Sequence, residues 1–175
     1  MQSDVIMIDN NGNGFEDAIE QAALSAAFRS LSPKDTLHLR LCAEEMLCLA
    51  RSVTGGMSAS FWIESTGRQF YVHMTTKTVM DREKRELLLS SATSQKNEAA
   101  NSFLGKLRNA FEEAMCAEPD YSYIPDEVVS DLSNRVIECT EWDKYEQSVL
   151  QKVSDNVKIS ISGNTVDMTV EKCFA

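Results

Sequence analysis

The sequence predicts an α+β fold, a two-layer sandwich with a mostly antiparallel mixed sheet of about five strands and helices on one face. Apolar and polar residues alternate with period 2 at 58–77 and 157–171, which predicts two β-hairpins. Apolar residues recur at helical spacing in 39–52, "LRLCAEEMLCLARS". Because each alternating strand has one apolar face to cover, we expect both hairpins in one sheet, with the helix at 37–53 packed on one face.

The N-terminal elements are predicted from turn and capping signals. A short strand at 4–9 ends at the turn cluster "NNGNG". A helix is predicted over 15–30, because acidic residues lie in its first turn and Arg29 in its last, as the helix dipole favours. Ser32 and Pro33 form a typical N-cap and first-turn pair for the helix that follows.

Two adjacent glutamates in that helix receive different interpretations. An α-helix turns by about 100° per residue, so neighbouring side chains lie on different faces. Glu44 shares a solvated stripe with Arg40, four residues before it. Glu45 lies at the edge of the apolar face, where a carboxylate is usually paired or functional. It is either a structural carboxylate, bonded to neighbouring backbone or to His38, or a general base, active or remnant.

The remaining elements follow from patterning. The first hairpin turns at Thr66-Gly67 and places Trp62, Tyr71 and His73 opposite its apolar face. "DREKRELLLSSA" (81–92) predicts an amphipathic helix whose basic residues alternate with acids on a solvated face, and "TSQKNEAAN" predicts a polar, mobile connection. Further helices are predicted at 101–115 and, as an extra helical segment, within 117–156, before the last hairpin turns at Gly163-Asn164.

Composition and charge narrow the setting. A chain of 175 residues with 43% hydrophobic and 25% charged content is ordinary for one globular domain spanning 1–175. The net charge of −10 disfavours nucleic acid and anionic membranes as partners, since both attract clustered Lys and Arg. Five cysteines without a CxxC pair argue against a disulfide framework and a zinc site. With no signal-peptide pattern and no long apolar run, we expect a cytoplasmic protein.

The order of elements resembles the histidine-kinase-like (GHKL) ATPase fold, and in length and layout the anti-sigma-factor serine kinases of bacterial partner-switching systems. The segments that carry the resemblance are "LHLRLCAEEML", the hairpin after it, a helix containing "FLGKL" and the last hairpin "ISISGNTVDMTVEK". The resemblance covers most of the chain, although 117–156 is longer than expected for that family.

The family's nucleotide motifs are degenerate in this sequence. Its first motif pairs a Glu, the general base, with an Asn four residues later that holds magnesium; Glu45 matches the Glu, but Leu49 stands at the Asn position and has no lone pair for a cation. Thr76 and Thr78 stand where an adenine-reading Asp and a glycine are expected. Of the glycine-rich phosphate loop, "SFLGKLR" keeps Gly105, with Lys106 beside it.

The resemblance therefore implies a regulatory or protein-binding domain with an eroded, non-catalytic nucleotide site and no cofactor. The alternative is an active ATP-dependent serine/threonine protein kinase or ATPase, with magnesium, that uses Glu45 as general base. The implied partner is a protein, similar to a sigma factor or to an anti-sigma-factor antagonist, and a homodimer stays open. Lys106 beside Arg108 could bind an anion or could be an ordinary exposed helix cation.

Overall fold

The computed structural model describes residues 1–9, 11–54, 58–100, 106, 109–110 and 149–175. Most of the predicted helices within 117–156 and at 101–115 lies outside this part, although residues 106, 109–110 and 149–153 are helical. The elements are β1 (Ile6–Ile8), α1 (Phe15–Phe28), α2 (Pro33–Thr54), β2 (Ala59–Thr66), β3 (Gln69–Lys77), α3 (Arg82–Ser91), a 3-10 turn (Glu98–Ala100), β4 (Asn156–Ser162) and β5 (Thr165–Cys173).

The five described strands form one sheet in the order β1-β2-β3-β5-β4. Each of the four pairings between neighbouring strands is antiparallel. The α+β class and the expectation that both hairpins share one sheet are therefore confirmed. The turns fall where the sequence predicts them, with Gly67 and Gly163 at positive φ.

One face of the sheet is buried by the helices. Residues alternate between buried and partly exposed along β2 to β5, as the period-2 patterns predict. Helix α1 packs on α2, β1 and β2, while α2 lies across β3 and β5. Their apolar residues join the sheet in one core. The core face of α2 consists of Leu39, Cys42, Ala43, Met46, Leu47, Leu49, Ala50 and Val53.

The residues at the start of α1 and α2 explain where each helix begins. Ser32 caps α2, since its Oγ accepts from the backbone N–H of Asp35 at 3.2 Å. Gly14 precedes α1 with φ 85°, and a Cβ there would lie 2.3 Å from the carbonyl oxygen of Met7. Only glycine fits this close approach of the loop to β1. Glu44 is exposed and Glu45 is half-buried, as predicted.

Two expectations for the segment after β3 are wrong. Arg85, expected on a solvated face, is 4% exposed, because it shares the inner side of α3 with Leu88. The connection 93–97 is not a free polar linker: Thr93 exchanges two hydrogen bonds with Val157 of β4. The buried Asn97 side chain bonds the same edge strand further along, at Ile161. The segment thereby satisfies backbone groups of an edge strand that would otherwise be unpaired.

Among the described helices, none is long and apolar enough to cross a membrane.

Candidate functional site

The first two predicted nucleotide residues lie one turn apart on α2 but differ in burial. Leu49 is 2% exposed and belongs to the apolar core. Glu45, one turn earlier, is half-buried at the edge of that core. A magnesium ligand at position 49 would therefore lie within the apolar core, whereas Glu45 is partly exposed at its edge.

The remaining residues that the resemblance assigns to a nucleotide lie on other elements, after α2 in the chain. Thr76 on β3 is 3% exposed, and its hydroxyl donates to the carbonyl of Ser58 at 3.1 Å. Thr78 is 8% exposed just beyond the strand, and its backbone N–H donates to the carbonyl of Asn164 at 2.9 Å. Gly105 lies outside the described residues. Lys106 is exposed and lines a cleft beside α3. The assignment of these positions to a nucleotide stays a prediction.

The side of the sheet that none of the described helices covers carries a group of aromatic and charged residues, here called the aromatic face. Antiparallel pairing places its side chains in rows across the strands. One row is Trp62, His73, Thr169 and Lys158; the next is Glu64, Tyr71, Glu171 and Asn156; the third is Ser60, Thr75, Asp167 and Ser160.

Aromatic stacking organises the centre of this face. The rings of Trp62 and His73 stack with centroids 5.0 Å apart and planes inclined by 12°. The ring of Tyr71 also stacks on that of His73, with centroids 6.3 Å apart. The indole N–H of Trp62 donates to Glu64 Oε1 at 3.4 Å. The result is a continuous apolar strip with a carboxylate at its border, a surface that suits an amphipathic or cationic contact.

His73 has one satisfied and one unsatisfied ring nitrogen. Its Nδ1 lies 3.1 Å from the hydroxyl of Thr169, while its Nε2 is buried and has no hydrogen-bond partner among the described residues. The nearby Glu64 Oε2 is 3.9 Å from Nε2, too far for a hydrogen bond. Burial lowers the pKa of His73, and the negative charges of Glu64 and Glu171 only partly oppose this shift. The imidazole is therefore neutral at pH 7.

His73 lies beside the hydroxyl of Thr169, and acyl-transfer enzymes also pair a histidine base with a hydroxyl nucleophile. The carboxylate of Glu64 is too distant to orient the ring, as such sites require. In addition, β3 pairs along its length with both β2 and β5, so its backbone N–H groups are used by the sheet. They cannot form an oxyanion hole around Thr169. This geometry favours binding over nucleophilic catalysis.

Charge on the aromatic face is mostly negative. Its three rows contain the carboxylates of Glu64, Asp167 and Glu171 and a single cation, Lys158, which pairs with Glu171. Hydrogen bonding to Glu171 raises the pKa of Lys158. Lys77 lies one row further, at the end of β3. Glu64 is thus left as an exposed carboxylate next to the aromatic strip.

No group of three or more His, Cys, Asp or Glu side chains in the described part of the chain is placed to hold a metal ion. The comparisons with known proteins add no identity: no family model matches the chain, and no curated protein is significantly similar to it.

The sequence predicts that Trp62, Tyr71 and His73 share the face of the hairpin opposite its apolar face, but it does not predict that their rings stack. Period-2 alternation would have been enough to align Trp62, His73 and Thr169 once the hairpin partners were known. The pairing of β3 with β5, separated by about ninety residues in sequence, is the information that a single hairpin pattern lacks.

Proposed function

We propose that this chain is a non-catalytic, regulatory protein-binding domain that captures a basic segment of a partner protein on its aromatic face. The observation that carries the proposal is the stack of Trp62, His73 and Tyr71 on the uncovered side of the sheet, bordered by Glu64. Tryptophan and tyrosine dominate the energetics of protein interfaces, since they bury a large area at a small entropic cost.

Charge complementarity sets the chemistry of the partner. Lysine and arginine side chains are attracted to the faces of aromatic rings and to the bordering carboxylates. An acidic surface on an acidic chain also speeds the approach of a cationic partner by electrostatic steering. In keeping with the resemblance to anti-sigma-factor kinases, we propose a sigma factor or an anti-sigma-factor antagonist as the class of partner.

The placement of the degenerate motif residues supports the non-catalytic part of the proposal. The side chain of Leu49 and that of Thr76 are both within the core, and the Thr76 hydroxyl is already used by the backbone of Ser58. Neither side chain is free to contact a nucleotide.

The alternative function, an ATP-dependent protein kinase, is favoured by one observation, the half-exposed carboxylate of Glu45 on α2. A carboxylate at the edge of an apolar surface is a common setting for a general base. The two functions make different predictions, because only the kinase requires Mg-ATP and loses its activity when Glu45 is replaced.

The test uses an arginine- and lysine-rich octapeptide as a probe, titrated into the full chain by calorimetry at two salt concentrations. Trp62→Ala should weaken binding by roughly tenfold or more, as expected for a central interface tryptophan. Glu64→Gln should weaken it by roughly two- to fivefold, the range of an exposed ion pair. Glu44→Gln makes the same charge change on the opposite side of the molecule and serves as the matched control.

Equal affinities for the Glu64 and Glu44 variants, together with an unaffected Trp62→Ala, would show only a general attraction to an acidic protein and would refute the proposal. Mg-ATP hydrolysis or phosphorylation that disappears in Glu45→Gln would establish the kinase instead.

A further inference from the structure

A second feature of the molecule lies beside the outer edge of the sheet, between α3, the segment 95–100 and the helical residues 106 and 109. It is a cleft of about 440 Å³. This size falls within the range of roughly 300–1,000 Å³ that is usual for small-molecule sites. The polar side chains that line it, here called the Arg85 cleft, are Arg85, Gln95, Lys96, Asn97, Lys106 and Asn109.

Arg85 is an unusual residue for a core boundary, because its charge has no carboxylate partner among the described residues. Its side chain is almost completely buried, with the residue 4% exposed. Its Nη2 donates to Asn109 Oδ1, but its Nη1 is buried and has no hydrogen-bond partner in the part of the chain that the structure describes. The neighbouring cations on α3, Arg82 and Lys84, each pair with a carboxylate. Buried charges are normally paired, so the missing acceptor at Arg85 requires an explanation.

The surrounding amide groups cannot supply the missing acceptor. Asn109 Oδ1 accepts from both Arg85 Nη2 and Asn97 Nδ2, which fills its two lone pairs. Asn97 Oδ1 accepts from the backbone N–H groups of Ala99 and Ile161. Its Nδ2 also donates to the carbonyl of Ile161 at 2.9 Å, which fixes the amide on β4. These groups hold the guanidinium in place, and none of the described residues supplies an acceptor for Nη1.

The charge of the cleft points to an anion as that acceptor. Arg85, Lys96 and Lys106 line it, and no Asp or Glu is among its described lining residues. Glu98 lies close in sequence, but its carboxylate accepts from Ser94 Oγ at 3.2 Å. Three cations gathered without a carboxylate are notable in a chain of net charge −10. The planar N–H groups of arginine match the oxygens of a phosphate, and two lysines add charge for a dianion.

We propose that the Arg85 cleft binds the phosphate group of a small anionic molecule. Arg85 supplies a fixed, buried donor, Asn97 and Asn109 position it, and Lys96 and Lys106 neutralise the remaining charge at the rim. A single phosphate fills only part of the volume, so an organic portion of the ligand would occupy the rest. This inference is independent of the proposed function, because it uses none of the residues of the aromatic face.

The experiment titrates inorganic phosphate into the full chain by calorimetry, with sodium chloride holding the ionic strength constant. Wild type should show saturable one-site binding. Lys96→Gln and Lys106→Gln should each weaken it by roughly two- to fivefold, as expected for exposed cations. Lys34→Gln, which removes a charge from an exposed position on α2, should leave it unchanged. Arg85→Met should abolish binding, and the two lysine variants keep the test valid if that protein does not fold.

Heats no larger than dilution for wild type would overturn the proposal, because the cleft would then not bind a phosphate group. An equal loss in Lys34→Gln would also overturn it, because the effect would reflect overall charge. A phosphoserine peptide that bound far more tightly than inorganic phosphate and free phosphoserine would overturn the assignment to a small molecule and favour a phosphorylated protein.

Discussion

Leu49→Asn is the substitution that tests most directly how the degenerate first motif relates to the fold. It places the amide that a histidine-kinase-like ATPase would use for magnesium at the matching position of α2. In this protein, however, Leu49 is 2% exposed and packed within the core of the sandwich. We expect the substitution to destabilise the protein and to create no nucleotide site.

The magnitude follows from two costs. Truncating a buried leucine to alanine costs about 2–5 kcal/mol, and asparagine recovers only part of the lost packing. An amide buried without partners costs about 1–3 kcal/mol more in desolvation. The two costs add to about 3–8 kcal/mol, less the packing that asparagine recovers, which is a large fraction of the roughly 5–15 kcal/mol that stabilises a typical domain. The variant should therefore be partly unfolded or close to it at room temperature.

Urea denaturation followed by circular dichroism measures the loss, and the slope of the free energy against urea shows whether unfolding stays two-state. Leu37→Asn is the matched control. It makes the same change on the same helix, where the side chain is 61% exposed. Any loss of helix propensity is therefore similar in both proteins, and we expect the control to change stability by only about 0.5 kcal/mol.

A Leu49→Asn protein as stable as the Leu37→Asn control would refute the reasoning about the core. Stabilisation of the variant, but not of wild type, by Mg-ATP at about 1 mM, the order of common KM values, would show that the amide faces a nucleotide site after all.

Three further predictions concern single side chains. Glu45→Ala should cost about 1–3 kcal/mol in urea denaturation by removing a half-buried hydrogen-bonding carboxylate, whereas the exposed Glu44→Ala should cost little. Because burial lowers the pKa of His73, the unfolded chain takes up a proton first as the pH falls below about 6.5, so stability declines there by at most about 1.4 kcal/mol per pH unit, and His73→Phe should flatten the decline. Burial raises the pKa of Cys42 to about 12, so iodoacetamide should spare it in the native protein and modify the exposed Cys173, as peptide mass spectrometry can measure.

Each of these has a contradicting outcome. Equal losses for the two glutamate variants would place Glu45 in water. A stability profile that is unchanged by His73→Phe between neutral and mildly acidic pH would mean that other groups carry the proton uptake. Modification of Cys42 as fast as Cys173 would mean that α2 opens locally on the timescale of labelling.

The sheet could be predicted from sequence because its hairpins are local. In 58–77 and 157–171 the two strands adjoin a turn with a required glycine, and alternation fixes which side of each strand is buried. The sequence does not predict which residues of one hairpin pair with which residues of the other. The contact between the hairpins pairs β3 with β5 across about ninety residues, and no short-range signal determines it.

The faces of α2 were also predictable, because a helix with one apolar arc has one way to lie on a sheet. Helix α3 has a buried face with the same kind of spacing, which the prediction of a solvated face at 81–92 misses. Arg85, Leu88 and Ala92 are spaced by three and four residues, the spacing of a buried face. The acidic and basic residues around Arg85 hide this spacing in the sequence. A charged residue in phase with an apolar face indicates a buried cation.

Asn97 shows a different limit. Nothing in "TSQKNEAAN" distinguishes this asparagine from its polar neighbours, because its role depends on an edge strand more than sixty residues away. An edge strand needs its backbone groups covered, and a side-chain amide can donate and accept like a peptide group. Such a residue can be recognised only after the sheet order is known.

The positions of Leu49 and Thr76 place an ATP site between α2 and the sheet in conflict with the packing of this sandwich. An ATP site would need polar side chains and open space between α2 and the sheet, where this chain has a leucine in the core and a threonine bonded to backbone. Restoring one ligand would add a buried polar group without making room for phosphates, so intermediate sequences would be less stable and still inactive. Binding surfaces carry no such conflict on the outer side of the sheet or at its edge. That is the physical reason to look for function at the aromatic face and the Arg85 cleft.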